Sequence, residues 1–263
     1  MLRVGISIVG LALLAALIGP VLAPFDPASQ DLALRLAAPS TVHPFGLDEL
    51  GRDILARVLA GARISFLVGV TVVTISASIG TLLGAIAGYF GGRIDDVISR
   101  VVDTLMAFPG LLLAIALVAV LGPSLVNVLF ALAIIGWVGY ARLVRGQVLR
   151  AREFEYVQAA RALGAGTARI LWKHVIPTAV PALVVQATLG MAGAIIGEAS
   201  LSFLGLGVQP PTPSWGTMLN GGRAHILDAP HLTLFPGLAI ALLVLGFNFL
   251  GDGLRDRLDP RSR

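Results

Sequence analysis

The strongest constraint on this chain is a set of long stretches without Asp, Glu, Lys or Arg. One lies between Arg3 and Asp26, a second between Arg63 and Arg93, and a third runs from Thr104 to Ala141. Two more follow, between Lys173 and Glu198 and over 231–251. A helix crossing a bilayer needs about 20 mostly apolar residues. The third stretch is too long for one crossing, and Gly122-Pro123 divides it into candidates over 101–121 and 124–142, because proline suits a tight connection better than a helix interior. The spacing therefore predicts an all-α membrane protein with six transmembrane helices. Charged residues are only 13% of the chain, against about 25% in soluble domains, which agrees with lipid as the main solvent.

Orientation follows from the basic residues. With alternating spans and the N-terminus inside, 14 of the 19 Lys and Arg fall on the inner side and five on the outer. Both termini are then expected to be cytoplasmic. The net charge of +4 thus reads as topology, with no nucleic-acid partner expected, since the basic residues flank membrane spans. The first span has a rival reading as a secretory signal peptide, from Arg3 to "VLA" before Pro24. The run is long for such a segment and Pro24 is a poor cleavage context, so an uncleaved span is expected. The chain divides into 1–63 (first span plus an extracytoplasmic segment), 64–252 (a five-helix core with an inside loop over 142–177) and a cytoplasmic tail, 253–263. Within 24–63, Leu50, Ile54, Leu55, Val58 and Leu59 share one helical face, with Arg52, Asp53 and Arg57 opposite. This predicts an amphipathic surface helix capped by Asp48, lying on lipid or meeting an external partner.

The longest inside loop, 142–177, carries seven basic and two acidic residues. Phe154, Val157, Ala160 and Leu163 fall near one face of a first helix. Gly164 and Gly166 break it, Thr167 can cap a short second helix, and Pro177 closes that helix before the fifth span. Such a basic helix–turn–helix can rest on anionic membrane lipid. Alternatively it can dock in a groove on a partner, with Ala159 and Ala160 allowing close approach and Gly164 the sharp turn.

The stretch "EYVQAARALG" followed by "IP" resembles the coupling-loop signature of ABC importer permeases, written E-A-A-x-x-x-G with a later L-P. Ala159, Ala160 and Gly164 match, Ile176-Pro177 take the L-P place, and Gln158 stands where the family has Glu. "HPFGLDELGRDILARVLAGARIS", "GAIAGYFGG", "GWVGYARLVRGQVL", "EASLSFLGLGVQPPTPSWGTML" and "FNFLGDGLRDRLDPR" are similar to one branch of that family, the dipeptide/oligopeptide/nickel permeases. Within it they resemble the second of the two permease subunits. The resemblance implies a type I ABC importer permease fold in a bacterial or archaeal plasma (inner) membrane, paired with a second permease subunit. It also implies two cytosolic ATPase subunits below and an extracytoplasmic solute-binding protein above. The coupling loop would comprise Glu155, Tyr156, Gln158, Ala159, Ala160, Arg161, Gly164, Ile176 and Pro177. The implied solutes are di- and oligopeptides, with nickel or a metal chelate as the alternative.

The chain itself has no P-loop. Its only lysine, Lys173, follows Trp172 where G-x-x-x-x-G-K-[ST] demands glycine. ATP and Mg would therefore be bound by the partner ATPases, and no cofactor is expected in this chain. The absence of cysteine excludes thiolate metal sites and cysteine nucleophiles. His43, His225 and His231 form no compact metal-ligand spacing, and no nucleophile–base or carboxylate pair suggests an enzyme. An ATPase-independent secondary carrier is the rival of another class. Two intramembrane polar residues remain. Glu198, near the end of the fifth span, is a candidate for gating or an obligatory partner, unless it sits wet at the outer interface. Asn248, in the sixth, is a candidate for an interhelical hydrogen bond or a substrate contact. "GVQPPTPSWGTMLNGG" precludes a long helix and reads as a lid, a binding-protein contact or a rigid interfacial loop, with Trp215 near the interface. Asp95-Asp96 reads as a solvated cytoplasmic turn beside Arg93 and Arg100.

Overall fold

The computed structural model describes residues 1–258, whose regular structure is helical apart from one isolated backbone bridge, Leu47 to Asp53. Helix α1 spans Leu2–Leu22, α2 Ile54–Phe90, α3 Gly92–Met106, α4 Gly110–Leu121 and α5 Leu125–Ala151. Then come α6, Glu155–Ala162, and α7, Thr167–Ile170; α8, Ile176–Phe203, α9, Trp215–Gly222, and α10, His231–Leu258, complete the chain. Five helical units are long and apolar enough to cross a membrane, and a sixth span arises if α3 and α4 count as one. A side chain added at Gly253 would meet the Leu2 Cβ at 2.5 Å. The start of α1 and the end of α10 therefore lie together, at the same end of the bundle as α6 and α7. The tail expected over 253–263 begins inside α10, and residues 259–263 lie outside the described ones.

The most extensive helix–helix contact joins α2 to α5. It depends on glycine at four-residue spacing. A Cβ at Gly80 would sit 2.5 Å from the Trp137 carbonyl oxygen, and one at Gly88 2.9 Å from that of Arg145. At Gly84 it would overlap the Ala141 carbonyl oxygen and lie 3.0 Å from the Ala141 Cα. Without side chains at these three positions the two backbones touch over two turns. This is how helices associate where lipid removes the hydrophobic drive between them.

The third span departs from a simple helix over 101–121. Helices α3 and α4 meet at 86°. Pro109 cannot donate an amide bond and disfavours helical geometry in Phe108, so the chain turns there. The 12 residues of α4 reach only about 18 Å, less than the thickness of the hydrocarbon core. Asp95 is not a free turn residue. It sits in the first turn of α3 and takes a two-pronged bond from the Arg145 guanidinium, with Nη2 to Oδ2 at 2.7 Å. Arg142 Nη2 reaches Asp103 at 2.9 Å. These pairs fasten α3 across the end of α5.

The expected surface helix does not exist as a separate element. Residues 54–90 form one continuous α2 of 37 residues, whose cap is Asp53, accepting from the Ala56 amide at 2.8 Å. Asp48 instead closes a turn, accepting the Leu50 and Arg52 amides at 2.9 Å and Arg52 Nε at 2.7 Å. Arg52, Asp53 and Arg57 are buried rather than solvated. Arg57 also donates to the Pro27 carbonyl at 3.2 Å. The segments 24–53 and 204–230 close over this end of the bundle. Trp215 is buried, not interfacial, and its Nε1 donates to the Val58 carbonyl at 2.9 Å. A reciprocal Ser214–Thr217 capping box starts α9.

In α1, the carbonyl of Ala16 faces a helical partner position held by Pro20, which has no amide hydrogen. Arg63 of α2 supplies the missing donor, with Nε to Ala16 O at 2.7 Å and Nη2 to Leu17 O at 2.9 Å. Arg63→Met is expected to cost about 1–3 kcal/mol, the usual penalty for an orphaned buried polar group, seen as a lower midpoint of thermal unfolding in detergent. Gly84→Leu is expected to fail more severely, leaving little monodisperse protein on gel filtration. Gly146→Ala, on α5 with no atom within 4 Å of the added carbon, should behave as wild type.

Candidate functional site

The segment after α5 folds back under the bundle as a compact foot. Phe154 starts α6, and Glu155 lies in its first turn, where the helix dipole favours a carboxylate. Val157 is fully buried in a cluster with Val148 and Ala151 of α5, Ile170 of α7 and Val175. Three further contacts hold α6, and a fourth holds the chain leading into it. The Tyr156 hydroxyl donates to the His174 carbonyl at 3.3 Å, and Arg161 lies over the Tyr89 ring with its Cζ 5.7 Å from the centroid. Gln158 Nε2 donates to the Glu153 carbonyl at 3.1 Å, a bond an ionised Glu at this position could not make. Arg152 donates to the Gly88 carbonyl at 3.1 Å, joining the foot to the end of α2.

Gly164 ends α6 with φ at +79°. Its amide bonds the Arg161 carbonyl, and the Ala165 amide bonds the Ala160 carbonyl, both at 3.0 Å. These two bonds make a Schellman turn, which needs a left-handed residue at the position Gly164 occupies. The outward side of α6 carries Gln158, Ala159, Arg161 and Leu163, with Ala160 half-buried. Leu163 was expected on the inward apolar face, but it lies beyond the last full turn and is 88% exposed.

The second short helix also differs from expectation. Gly166 is its N-cap and Thr167 its first residue, with no side-chain capping bond. It is not closed off by Pro177 but runs on into α8 as one apolar unit, Thr167–Phe203. The join is a π-turn over Leu171–Val175, in which the Ile176 amide reaches back five residues to the Leu171 carbonyl. Pro177 explains the change of register, because it has no amide for the Lys173 carbonyl and its ring crowds that turn. Ile176 is half-buried and Pro177 exposed at the foot of α8.

Higher in the bundle, a cavity of about 350 Å³ opens between α2, α4, α5 and α8. Nothing charged lines it; its polar groups come from Ser76, Tyr140, Gln186 and Ser200.

Toward the end of the bundle opposite the foot, Glu198 is fully buried rather than wet. The Ser202 hydroxyl donates to its Oε1 at 2.6 Å and accepts the Val208 amide at 3.1 Å. This chain of bonds pins the 204–208 turn to α8, and Oε2 has no hydrogen-bond partner among the described residues. Asn248 is half-buried in α10 and forms no hydrogen bond with the described residues. The histidines considered earlier lie apart. His43 Nδ1 is 2.8 Å from Asp53 Oδ2, His231 Nε2 is 3.4 Å from the Leu47 carbonyl, and His225 is half-buried in the turn after α9. The buried polar groups around Asp48, Arg52 and Arg57 escaped sequence reasoning, because their alternation with apolar residues is also the pattern of a surface helix.

The described residues thus form a set of membrane-length spans, one of them bent, with a short helix packed beneath. Residues 80–263 match the family model described as binding-protein-dependent transport system inner membrane component, and the chain belongs to that family. It is 48% identical over 260 residues to a dipeptide transport system permease protein of Alkalihalophilus pseudofirmus, covering 99% of this chain and 86% of that one. It is 50% identical over 225 residues to a glutathione transport system permease protein of Pectobacterium atrosepticum, covering 86% and 75%. Among solved structures, an amino acid ABC transporter superposes with a TM-score of 0.60 at 16% identity, covering 76% of this chain and 94% of that one. An inward-facing methionine ABC transporter gives 0.57 at 20% identity, covering 77% and 94%. At those identities the likeness is one of fold, the type I ABC importer permease fold. The chain is thus an inner-membrane permease subunit of an ABC importer, a transport component rather than an enzyme.

Ser202→Ala should strip the Glu198 Oε1 of its hydroxyl donor and the Val208 amide of its acceptor. Each such group costs about 1–3 kcal/mol. Faster limited proteolysis within 204–214, with a lowered unfolding midpoint, would register the loss.

Proposed function

We propose that this subunit forms half of the translocation path of an ATP-driven peptide importer and that α6 with its Gly164 turn is the dock for a cytosolic ATPase. The bundle end carrying both ends of the described chain and the foot would face the cytoplasm, in keeping with the bias of basic residues toward that side. A second, related permease would complete the path. Two ATPases would bind and hydrolyse Mg-ATP below, and a solute-binding protein would deliver peptide at the 24–53 and 204–230 end. Peptide is favoured as the solute because the curated relatives described above carry dipeptides or glutathione by name.

The observation that carries the coupling role is the surface of α6. Small residues and one projecting leucine form an outward strip, while Val157 locks the inward side to α5, α7 and the foot of α8. A helix built only to rest on lipid has no need of that lock or of a left-handed turn that ends it so abruptly. Glu155, Tyr156, Gln158 and Arg161 hold the element in place, Ala159 and Ala160 permit close approach, and Ile176-Pro177 set the joint with the fifth span. Glu198 serves to hold the outer turn to α8 rather than to bind solute.

Ala159→Asp and Gly164→Asp test the dock. An unpaired charge buried at an interface costs several kcal/mol, or about a hundredfold or more in affinity. When the tagged subunit is purified from detergent-solubilised membranes, each variant should lose the ATPases while keeping the second permease. Wild-type recovery of the ATPases with both variants would sink the assignment.

A further inference from the structure

The cavity between α2, α4, α5 and α8 has one unusual wall. Several glycines line it, and most have a packing reason. A Cβ at Gly136 would meet Ser76 Oγ at 2.5 Å, one at Gly197 would meet Leu132 at 2.9 Å, and one at Gly190 would overlap the Tyr140 hydroxyl. Gly193 differs. A Cβ there would meet nothing within 4 Å, its φ is not left-handed, and it sits in the interior of α8. Neither packing nor backbone geometry within this chain calls for glycine, which weakens a helix relative to alanine. What it leaves is space on the cavity side.

The face of α8 that bears Gly193 also carries two polar side chains. Gln186 and Ser200 lie seven residues before and after it, two helical turns each way, and all three line the cavity. Ser200 satisfies its hydroxyl on the Ile196 carbonyl at 2.8 Å. The half-buried Gln186 side chain makes no hydrogen bond with the described residues. An unpaired amide at membrane depth belongs against a water-filled cavity or another protein, not lipid.

We propose that this face of α8 lines the solute path, that Gly193 sets the bore on this subunit's side, and that Gln186 offers an amide to the passing solute. The wall has no fixed charge to balance a charged solute. It therefore suits short solutes without net charge that present amides, such as zwitterionic dipeptides. The assignment rests on the importer role and adds the residues that limit solute size.

The native chain has no cysteine, so Gly193→Cys in the assembled four-subunit transporter carries the only thiol of this subunit. A small anionic methanethiosulfonate reacts with the thiolate, which forms in water and not in lipid. Cys at 193 should be modified at least about tenfold faster than Leu17→Cys, on the exposed side of α1. Gly193→Ala, Val and Leu should then reduce uptake in order of size, and uptake of trialanine should fall before that of dialanine. Assembly and thermal unfolding should stay as in wild type. A thiol that reacts in the isolated subunit but not in the assembled transporter would place the second permease against Gly193 and overturn the proposal. Reaction only with a lipid-soluble maleimide would overturn it too, as would undiminished trialanine uptake by the Leu variant. If the wild type takes up neither peptide, the peptide assignment fails instead, and thiol reactivity still decides the role of Gly193.

Discussion

Backbone contact between α2 and α5 is what the remainder of the bundle depends on. Inside a bilayer two apolar helices gain little by hiding from lipid, so association has to come from close packing. Gly80, Gly84 and Gly88 allow it by bringing one backbone onto the carbonyls of Trp137, Ala141 and Arg145. Once α2 and α5 are joined, α3 can fasten to the end of α5 through Asp95 and Arg145, and α1 can hang from α2 through Arg63. Helix α8 packs against both members of the pair, and α10 against α8 and α1. The cavity is the space the pair leaves where α8 and α4 meet it.

Proline shapes most departures from straight helices, always through an amide that is not there. At Pro20 the missing donor is replaced by the Arg63 guanidinium and the helix continues. At Pro109 the Leu105 carbonyl takes the Phe108 amide in a tight turn at 3.4 Å instead, and the chain bends by 86° between α3 and α4. Upstream of Pro177 the backbone slips into a π-turn, letting α7 and α8 remain one unit. The same chemical deficit thus yields a strut, a corner and a joint, depending on what lies near enough to compensate.

This is also why the sequence was legible in some places and not others. Six apolar stretches could be counted because lipid imposes a composition on every span, and the 142–177 foot stood out because it lacked that composition. The motif residues from Glu155 to Gly164 fell on one short helix and its turn, as their spacing implied. What failed were details set by tertiary partners. Arg52 and Arg57 alternate with apolar residues as on a surface helix, yet they are buried, because segments far along the chain fold over them. Asp48 and Asp53 both have the chemistry of a cap, and only the closure of the Gly46–Gly51 turn decides between them. Leu163 fits the inward periodicity of α6, but Gly164 ends the helix just before that periodicity could bury it. Glu198 read equally well as wet or sealed until the 204–208 turn was seen to cover it.

The foot and the cavity are mechanically related. Val157 sits in a cluster that joins α6 to α5 and α2 above it, through Val148 and Ala85, and to the π-turn at the base of α8 through Val175. A push on α6 therefore reaches both. On the α5 side it meets a pair of helices packed backbone to backbone. On the α8 side it meets the π-turn, where the hydrogen bonds are longer in register and Pro177 adds none. A rigid half and a jointed half, sharing one foot, respond to the same displacement by different amounts, and the difference is taken up where they face each other. That place is the wall bearing Gly193 and Gln186. The coupling proposed for α6 thus needs no long-range relay of side chains, only the unequal stiffness that three glycines and one proline build into neighbouring helices.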